Sequence, residues 1–211
     1  MSEFSEQRVL IDGPVSAEHT FIFAHGAGAG MEHDFMAEVA EMIADHGIRV
    51  VRFNFPYMVK RAEDGKKRPP DRAPKLLEAF KEVIAEYRTE KTVIGGKSMG
   101  GRMASHLADV EGLKGIACLG FPFHPPGKPE KDKGEHLADL SLSTLILQGE
   151  RDTFGNRAEL EGYRLSDKVT LTFIPDGDHS FKPRKASGHT ETGNRQMAAD
   201  HIAAFIKEVC Q

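Results

Sequence analysis

The sequence predicts an α/β protein, a three-layer sandwich in which a mostly parallel sheet of about six to seven strands lies between layers of helices. Three observations predict it. Short apolar runs alternate along the chain with amphipathic stretches of helical period, the pattern of strands joined by helical crossovers. The runs are continuous in Val, Ile, Leu and Phe, as in strands covered on both faces. The 211 residues include 39% hydrophobic and 28% charged ones, enough for one sizeable core and too apolar for a disordered chain.

The strands are expected at Thr20–Ala24, Arg49–Phe53, Thr92–Ile94, Gly115–Leu119, Thr144–Gln148 and Thr170–Ile174, with Arg8–Ile11 as a candidate antiparallel edge strand. Asp34 is a candidate cap for a helix that places Phe35, Val39, Met42 and Ile43 on one face and stops at Gly47. Asp71 and Pro74 are expected to open a second, with Leu77, Phe80, Ile84 and Tyr87 at helical spacing. A third follows Ser98 and runs to about Asp109. The last carries Met197, Ile202, Phe205, Ile206 and Val209 on one stripe. Neither a repeat nor a linker divides the chain, so residues 1–211 read as one domain with its core from about residue 20 and residues 1–19 as an extension or edge strand. Lys60–Pro70 and Lys182–Gly193 read as mobile loops, and the proline-rich segment after Leu119 reads as a long loop at a strand's carboxyl end.

Composition narrows the function. A formal charge of −4 gives no electrostatic reason for a nucleic-acid partner, and Lys66-Lys67-Arg68, flanked by Asp64 and Asp71, reads as a solvated loop. The polar stretch Met1–Arg8 has no signal-peptide core, and no apolar run approaches the ~20 residues that span a bilayer. Cys118 and Cys210 form no disulfide framework, so a cytoplasmic location is expected. The scattered histidines show no metal-ligand spacing, and neither metal nor cofactor is expected.

The most informative segment is Thr92-Val-Ile-Gly-Gly-Lys-Ser-Met-Gly-Gly-Arg. A strand runs into Gly96-Lys97-Ser98-Met99-Gly100 and then into a helix. The sharp turn lifts the Ser98 hydroxyl clear of the sheet, and glycines two positions either side remove side chains that would collide. A phosphate-binding loop would need glycine at position 91, where Lys91 stands. A nucleophilic serine needs a base and the base an orienting acid. Asp152 follows the strand Thr144–Gln148 and His179 follows the strand Thr170–Ile174, so these are the candidate acid and base. Glu150, Asp176 and Asp178 are local competitors for the acid. The first strand ends in His25-Gly26-Ala27-Gly28-Ala29-Gly30, small residues that let backbone N–H groups reach a substrate oxygen. The candidate oxyanion donors are the N–H groups of Met99 and Ala27. A dinucleotide fingerprint there would need glycine or alanine at position 31, which is Met31.

Phe55, Tyr57, Phe121, His124, Phe154 and Phe181 all stand just after strands and are candidate pocket residues, with loop packing as the alternative. Arg102 and Lys97 are candidates for favouring an anionic substrate or for structural ion pairs.

These residues resemble the α/β-hydrolase superfamily from about Thr20 to the end of the chain, and within it the small members without a cap domain, in the neighbourhood of dienelactone hydrolases. Ser98-Met99-Gly100-Gly101-Arg102 and Arg52-Phe53-Asn54-Phe55-Pro56-Tyr57 resemble an uncapped subgroup that includes eukaryotic subunits of chromatin complexes. The resemblance implies the fold and the Ser98, His179, Asp152 triad, and no particular substrate. The chain departs from larger members in having little before its first core strand, so the antiparallel edge is reduced or absent. It also has too short a stretch between Leu119 and Ser141 for a helical lid. The expected function is hydrolysis of a small ester or thioester through an acyl-enzyme, with a small-molecule acyl substrate and neither a membrane nor a nucleic-acid partner. Two alternatives stay open, a weakly catalytic interaction module and an acyltransferase using the same residues.

Overall fold

The computed structural model describes residues 8–211. Seven strands form one sheet in the order β1-β3-β2-β4-β5-β6-β7. They are β1 (Val9–Asp12), β2 (Thr20–Ala24), β3 (Arg49–Phe53), β4 (Thr92–Lys97), β5 (Leu113–Leu119), β6 (Thr144–Gly149) and β7 (Val169–Ile174). All pairs are parallel except β1 with β3. The helices are α1 (Asp34–Ala44), α2 (Pro56–Asp64), α3 (Ala73–Tyr87), α4 (Met99–Ser105), α5 (Arg157–Leu160) and α6 (Glu191–Val209).

The side-chain period of two divides each strand between two cores. Phe21, Phe23, Val50 and Val93 pack under α1 and α6, whereas Ile22, Ala24, Val51, Phe53 and Ile94 pack under α3 and α4. Chain order reverses at β2, with β3 on one side and β4 on the other. The crevice beyond the carboxyl ends of β2 and β4 is therefore the switch point at which open α/β sheets bind ligands. The loop from His25 and the turn at Ser98 both open onto it.

β4 runs three residues further than its apolar run suggests, through Gly95 and Gly96. These glycines are there for space. A Cβ on Gly96 would sit 2.4 Å from the carbonyl carbon of Gly100, and one on Gly100 would sit 2.5 Å from the Ala24 carbonyl oxygen. The start of α4 thus lies against β2 and β4 at backbone contact.

Several elements differ from expectation, each for a local reason. The first part of the expected Lys60–Pro70 loop is helical, because Pro56 starts α2, Tyr57 and Met58 are buried under it and Gly65 ends it at φ 68°. Lys60, Glu63 and Asp64 lie on its exposed face, and Lys66-Lys67-Arg68 follow it as a loop. Asp71 does not open α3. Its carboxylate accepts the Tyr57 N–H at 2.9 Å and so caps α2 from fourteen residues away. Arg72 precedes α3 and Pro74 lies in its first turn. His33, not Asp34, caps α1, its Nδ1 accepting from the Phe35 N–H. α4 stops at Ser105, short of Asp109. Within the expected Lys182–Gly193 loop, a 3-10 turn spans Lys185–Ser187, and α6 starts at Glu191 with the Thr190 hydroxyl as its cap. The antiparallel edge is present as one short strand, β1, held by a two-pronged bond from Arg52 to Asp12 at 2.8 and 3.0 Å. Between Leu119 and Ser141 only a 3-10 turn, Glu135–Asp139, interrupts the loop.

Gly100→Ala is expected to destabilise the fold by about 3 kcal/mol, because the added methyl meets backbone that cannot yield. Gly28→Ala, whose Cβ would meet nothing within 4 Å, is expected to stay within about 0.5 kcal/mol of the parent. Urea unfolding of the two variants checks the contrast.

Candidate active site

Ser98 connects β4 to α4 at φ 51° and ψ −117°, a conformation that a side-chain-bearing residue adopts only when its surroundings impose it. Two bonds impose it here. The Ser98 N–H donates to the Leu119 carbonyl at 2.9 Å, and its carbonyl accepts the Arg102 N–H at 3.0 Å. The hydroxyl oxygen lies 2.9 Å from His179 Nε2. On the other side of the ring, His179 Nδ1 lies 2.8 and 3.0 Å from the two carboxylate oxygens of Asp152. An ionised carboxylate only accepts, so the proton sits on Nδ1 and Nε2 is left to accept from the serine.

Asp152 is fully buried. Besides the imidazole it accepts the Phe154 N–H at 2.8 Å and the Gln148 side-chain amide at 3.2 Å. Gln148, itself buried in β6, also donates to the carbonyls of Phe121 and Gly155 and accepts the Phe121 N–H, so the loops after β5 and β6 are tied through one side chain. The local competitors are engaged elsewhere. Glu150 pairs with Arg157 and accepts the Asp176 N–H, Asp176 pairs with Arg184 and Arg151, and Asp178 accepts the N–H groups of Ser180 and Lys182 within its own turn.

A cavity of about 300 Å³ opens on Ser98. Gly26, Ala27, Gly28 and Ala29 form one wall, His33, Phe35 and Met36 from the start of α1 a second, and Phe154, His179 and Ser180 a third. Phe154 stacks on the His179 ring at 4.2 Å. Ala27 therefore borders the cavity, and Met99, first residue of α4, carries an N–H with no intrahelical acceptor. A larger groove, about 580 Å³ between Val9, α2 and α3, has no serine, cysteine or histidine in its lining.

Of the residues expected to line the pocket, only Phe154 does. Phe55 is fully buried, edge-on to His25, Phe53 and Phe80. Tyr57 lies behind the wall, its hydroxyl donating to the Ala27 carbonyl at 2.9 Å. Phe121 and Phe181 are core residues packed on Phe123 and Phe35. His124 is held by the Pro125 carbonyl and Glu159. Arg102 stands half-buried on α4 near His106 and His136, away from the cavity wall, where burial lowers its pKa. Lys97 does border the cavity, and its ammonium donates to the His179 main-chain carbonyl. His33, Phe35 and Met36 escape a reading by position, because they reach the site from the first turn of a helix whose periodicity marks it only as a packing face.

The wall before Ser98 is set by buried polar groups. His25 Nδ1 donates to the Gly26 carbonyl at 2.7 Å and its Nε2 accepts the Phe55 N–H at 3.0 Å. Burial pushes this imidazole down to about 4, so it stays neutral. Asn54 Oδ1 accepts the Met31 N–H at 2.9 Å, and Arg52 donates to the Met31 carbonyl at 2.6 Å. Among the described residues no group of three or more His, Cys, Asp or Glu side chains could hold a metal ion, and no helix is long and apolar enough to cross a membrane.

Residues 17–207 match the family described as an alpha/beta hydrolase domain. The chain belongs to the α/β-hydrolase family. Solved structures agree on the fold. Est1E from Butyrivibrio proteoclasticus, with ferulic acid bound, superposes with a TM-score of 0.69 at 15% identity, covering 95% of this chain and 94% of that one. A dienelactone hydrolase from Anabaena variabilis gives 0.68 at 19% identity over 96% and 92% of the two chains. A monoacylglycerol lipase from Paleococcus ferrophilus gives 0.69 at 12% identity over 95% and 98%. Among the described residues of this α/β-hydrolase, no cap domain interrupts the fold.

His25 gives the stability a pH dependence of defined sign. Its ring is neutral in the fold down to about pH 4, while the unfolded chain protonates it near pH 6.5. Between these values the unfolded state binds the extra proton, so stability falls as pH falls. Urea unfolding is expected to show a loss between about pH 7 and pH 5 to which His25 contributes ~1–2 kcal/mol. The loss should shrink in His25→Gln.

Proposed function

We propose that this α/β-hydrolase is a serine hydrolase that cleaves small esters or thioesters. The observation that carries the reading is the unbroken relay from Ser98 Oγ through His179 to Asp152, at 2.9 and 2.8 Å, opening on a cavity walled by the small residues Gly26, Ala27, Gly28 and Ala29. In this reading Ser98 attacks the acyl carbonyl as His179 Nε2 takes its proton, and Asp152 stabilises the imidazolium that forms. The N–H groups of Ala27 and Met99 hold the tetrahedral oxyanion, each worth about 3 kcal/mol or more by analogy with donors of this kind. His179 then returns the proton to the leaving oxygen or sulfur. Water, activated by the same ring, attacks the acyl-serine and releases the acid.

The cavity size and its apolar walls at Phe35, Met36 and Phe154 favour a short or flat acyl group. Likeness to proteins named esterase, lipase and dienelactone hydrolase is consistent with ester chemistry. The chain is read as one hydrolase domain working on a small-molecule substrate. Two free, buried thiols, Cys118 and Cys210, favour a reducing, cytoplasmic setting.

A fluorophosphonate probe followed by intact mass is expected to add once to the parent and not at all to Ser98→Ala. Absence of an adduct on the folded parent would defeat the proposal and favour a non-catalytic binding role. With a short 4-nitrophenyl ester, His179→Ala is expected to lower kcat by ~10³-fold or more. Burial, with Lys97 adding to it, sets the His179 ring below the ordinary histidine range despite the opposing pull of Asp152. Because the neutral ring is the base, kcat/KM should rise with pH along an acid limb set below the ordinary histidine range and then level off.

A further inference from the structure

Lys97 is an unusual neighbour for a nucleophile. It immediately precedes Ser98, is 7% exposed, and buries an ammonium whose desolvation is costly. Three features offset that cost. Its Nζ donates to the His179 carbonyl at 2.5 Å, faces the Phe35 ring at 5.4 Å, and lies in the field of Asp152 and Asp178. The ammonium is also close to the imidazole. A methyl on Gly120 would come within 3.0 Å of Lys97 Nζ and 3.3 Å of His179 Nδ1, touching both.

We infer that Lys97 is a positioning residue for the reaction proposed above. Its hydrogen bond holds the His179 turn at the end of β4, in register with Ser98, and its charge disfavours a second positive charge on the resting imidazole. The inference rests on the hydrolase reading of Ser98.

Two effects follow, and they separate. The bond to the carbonyl is mechanical, since Lys97 and Ser98 are consecutive and the imidazole belongs to the residue whose carbonyl is held. The charge acts on protonation. In the reacting complex the ring becomes positive as the oxyanion becomes negative, so the ammonium acts on the two with opposite sign. The charge therefore affects mainly the free enzyme, in which the ring becomes positive with no oxyanion beside it. The charged groups facing His179 are Asp152 from the β6–α5 loop, Asp178 from its own turn and Lys97 from β4. Lys97 faces these two carboxylates and Arg195 from α6, and His33 borders the same cavity. Burial pushes Lys97 down to about 8, so it stays charged throughout the acid limb of the pH profile.

The test uses K97M, which removes bond and charge, and K97Q, which removes the charge and keeps a donor. Three readouts are taken from about pH 5 to 9: kcat/KM on 4-nitrophenyl acetate, the rate of fluorophosphonate labelling, and the His179 ring titration by nitrogen NMR. Both variants are expected to move the acid limb and the ring titration to higher pH, by ~0.5 unit or more. K97M is expected to lose kcat at the plateau by ~10-fold or more relative to K97Q, the mark of a displaced base. Folded variants that keep the parent's acid limb and ring titration would overturn the inference. So would failure of both to fold, which would make Lys97 a requirement of the fold alone. A parent that takes no label at Ser98 defeats the hydrolase reading instead, and the NMR titration still decides the effect of Lys97 on His179.

Discussion

At the junction of β4 and α4 the backbone comes close enough to β2 that no side chain fits between them. Gly96 lies against Gly100 and Gly101, and Gly100 lies against the carbonyls of Ala24 and His25. The contact holds Ser98 at positive φ, aims its hydroxyl away from the sheet, and brings the β2 loop alongside it. The remaining parts of the site are arranged about that fixed point. Gln148 ties together the two loops that carry Phe121 and Asp152, and the turn after β7 brings His179 between Asp152 and the serine. The strain at Ser98 is held by contacts from β2, β4 and β5, which is why it can persist.

The loop opposite the serine depends on a different set of residues. Arg52, Asn54, Phe55 and Tyr57 all contact the chain between His25 and Met31, through the Met31 carbonyl and N–H, the His25 ring and the Ala27 carbonyl. Arg52 also grips Asp12 in β1. A segment that resembles a family signature is thus a brace for the cavity wall. The aromatic rings that seemed aimed at a ligand form the support behind the wall.

Ser98, Asp152 and His179 could be picked out in the sequence because each stands directly after a strand, and parallel strands deliver their carboxyl ends to the same edge. The same rule misplaced Phe55, Tyr57, Phe121, His124 and Phe181. Position after a strand says where the backbone arrives and not which way the side chain turns, and at these residues it turns into the core or into a brace. α2 escaped because its solvent face is almost entirely charged, and its first-turn donor is satisfied by Asp71, fourteen residues on. The wall from His33 to Met36 escaped because nothing in a helical stripe marks which end of the helix meets a cavity. Chain order at the edge was legible, and side-chain direction depended on tertiary packing.

Between β5 and β6 the described chain offers only a short 3-10 turn, and the His179 side chain keeps 23% of its exposure. No closing motion is built over the serine from that segment. On the proposed reading, water reaches the acyl-serine without passing a lid in this segment, and product release needs no movement of it. On that reading the acyl group meets the walls at Phe35, Met36 and Phe154, and the departing group takes the open side of the site. Such a site is expected to tolerate many alcohols or thiols and to owe its selectivity to the acid half of the molecule.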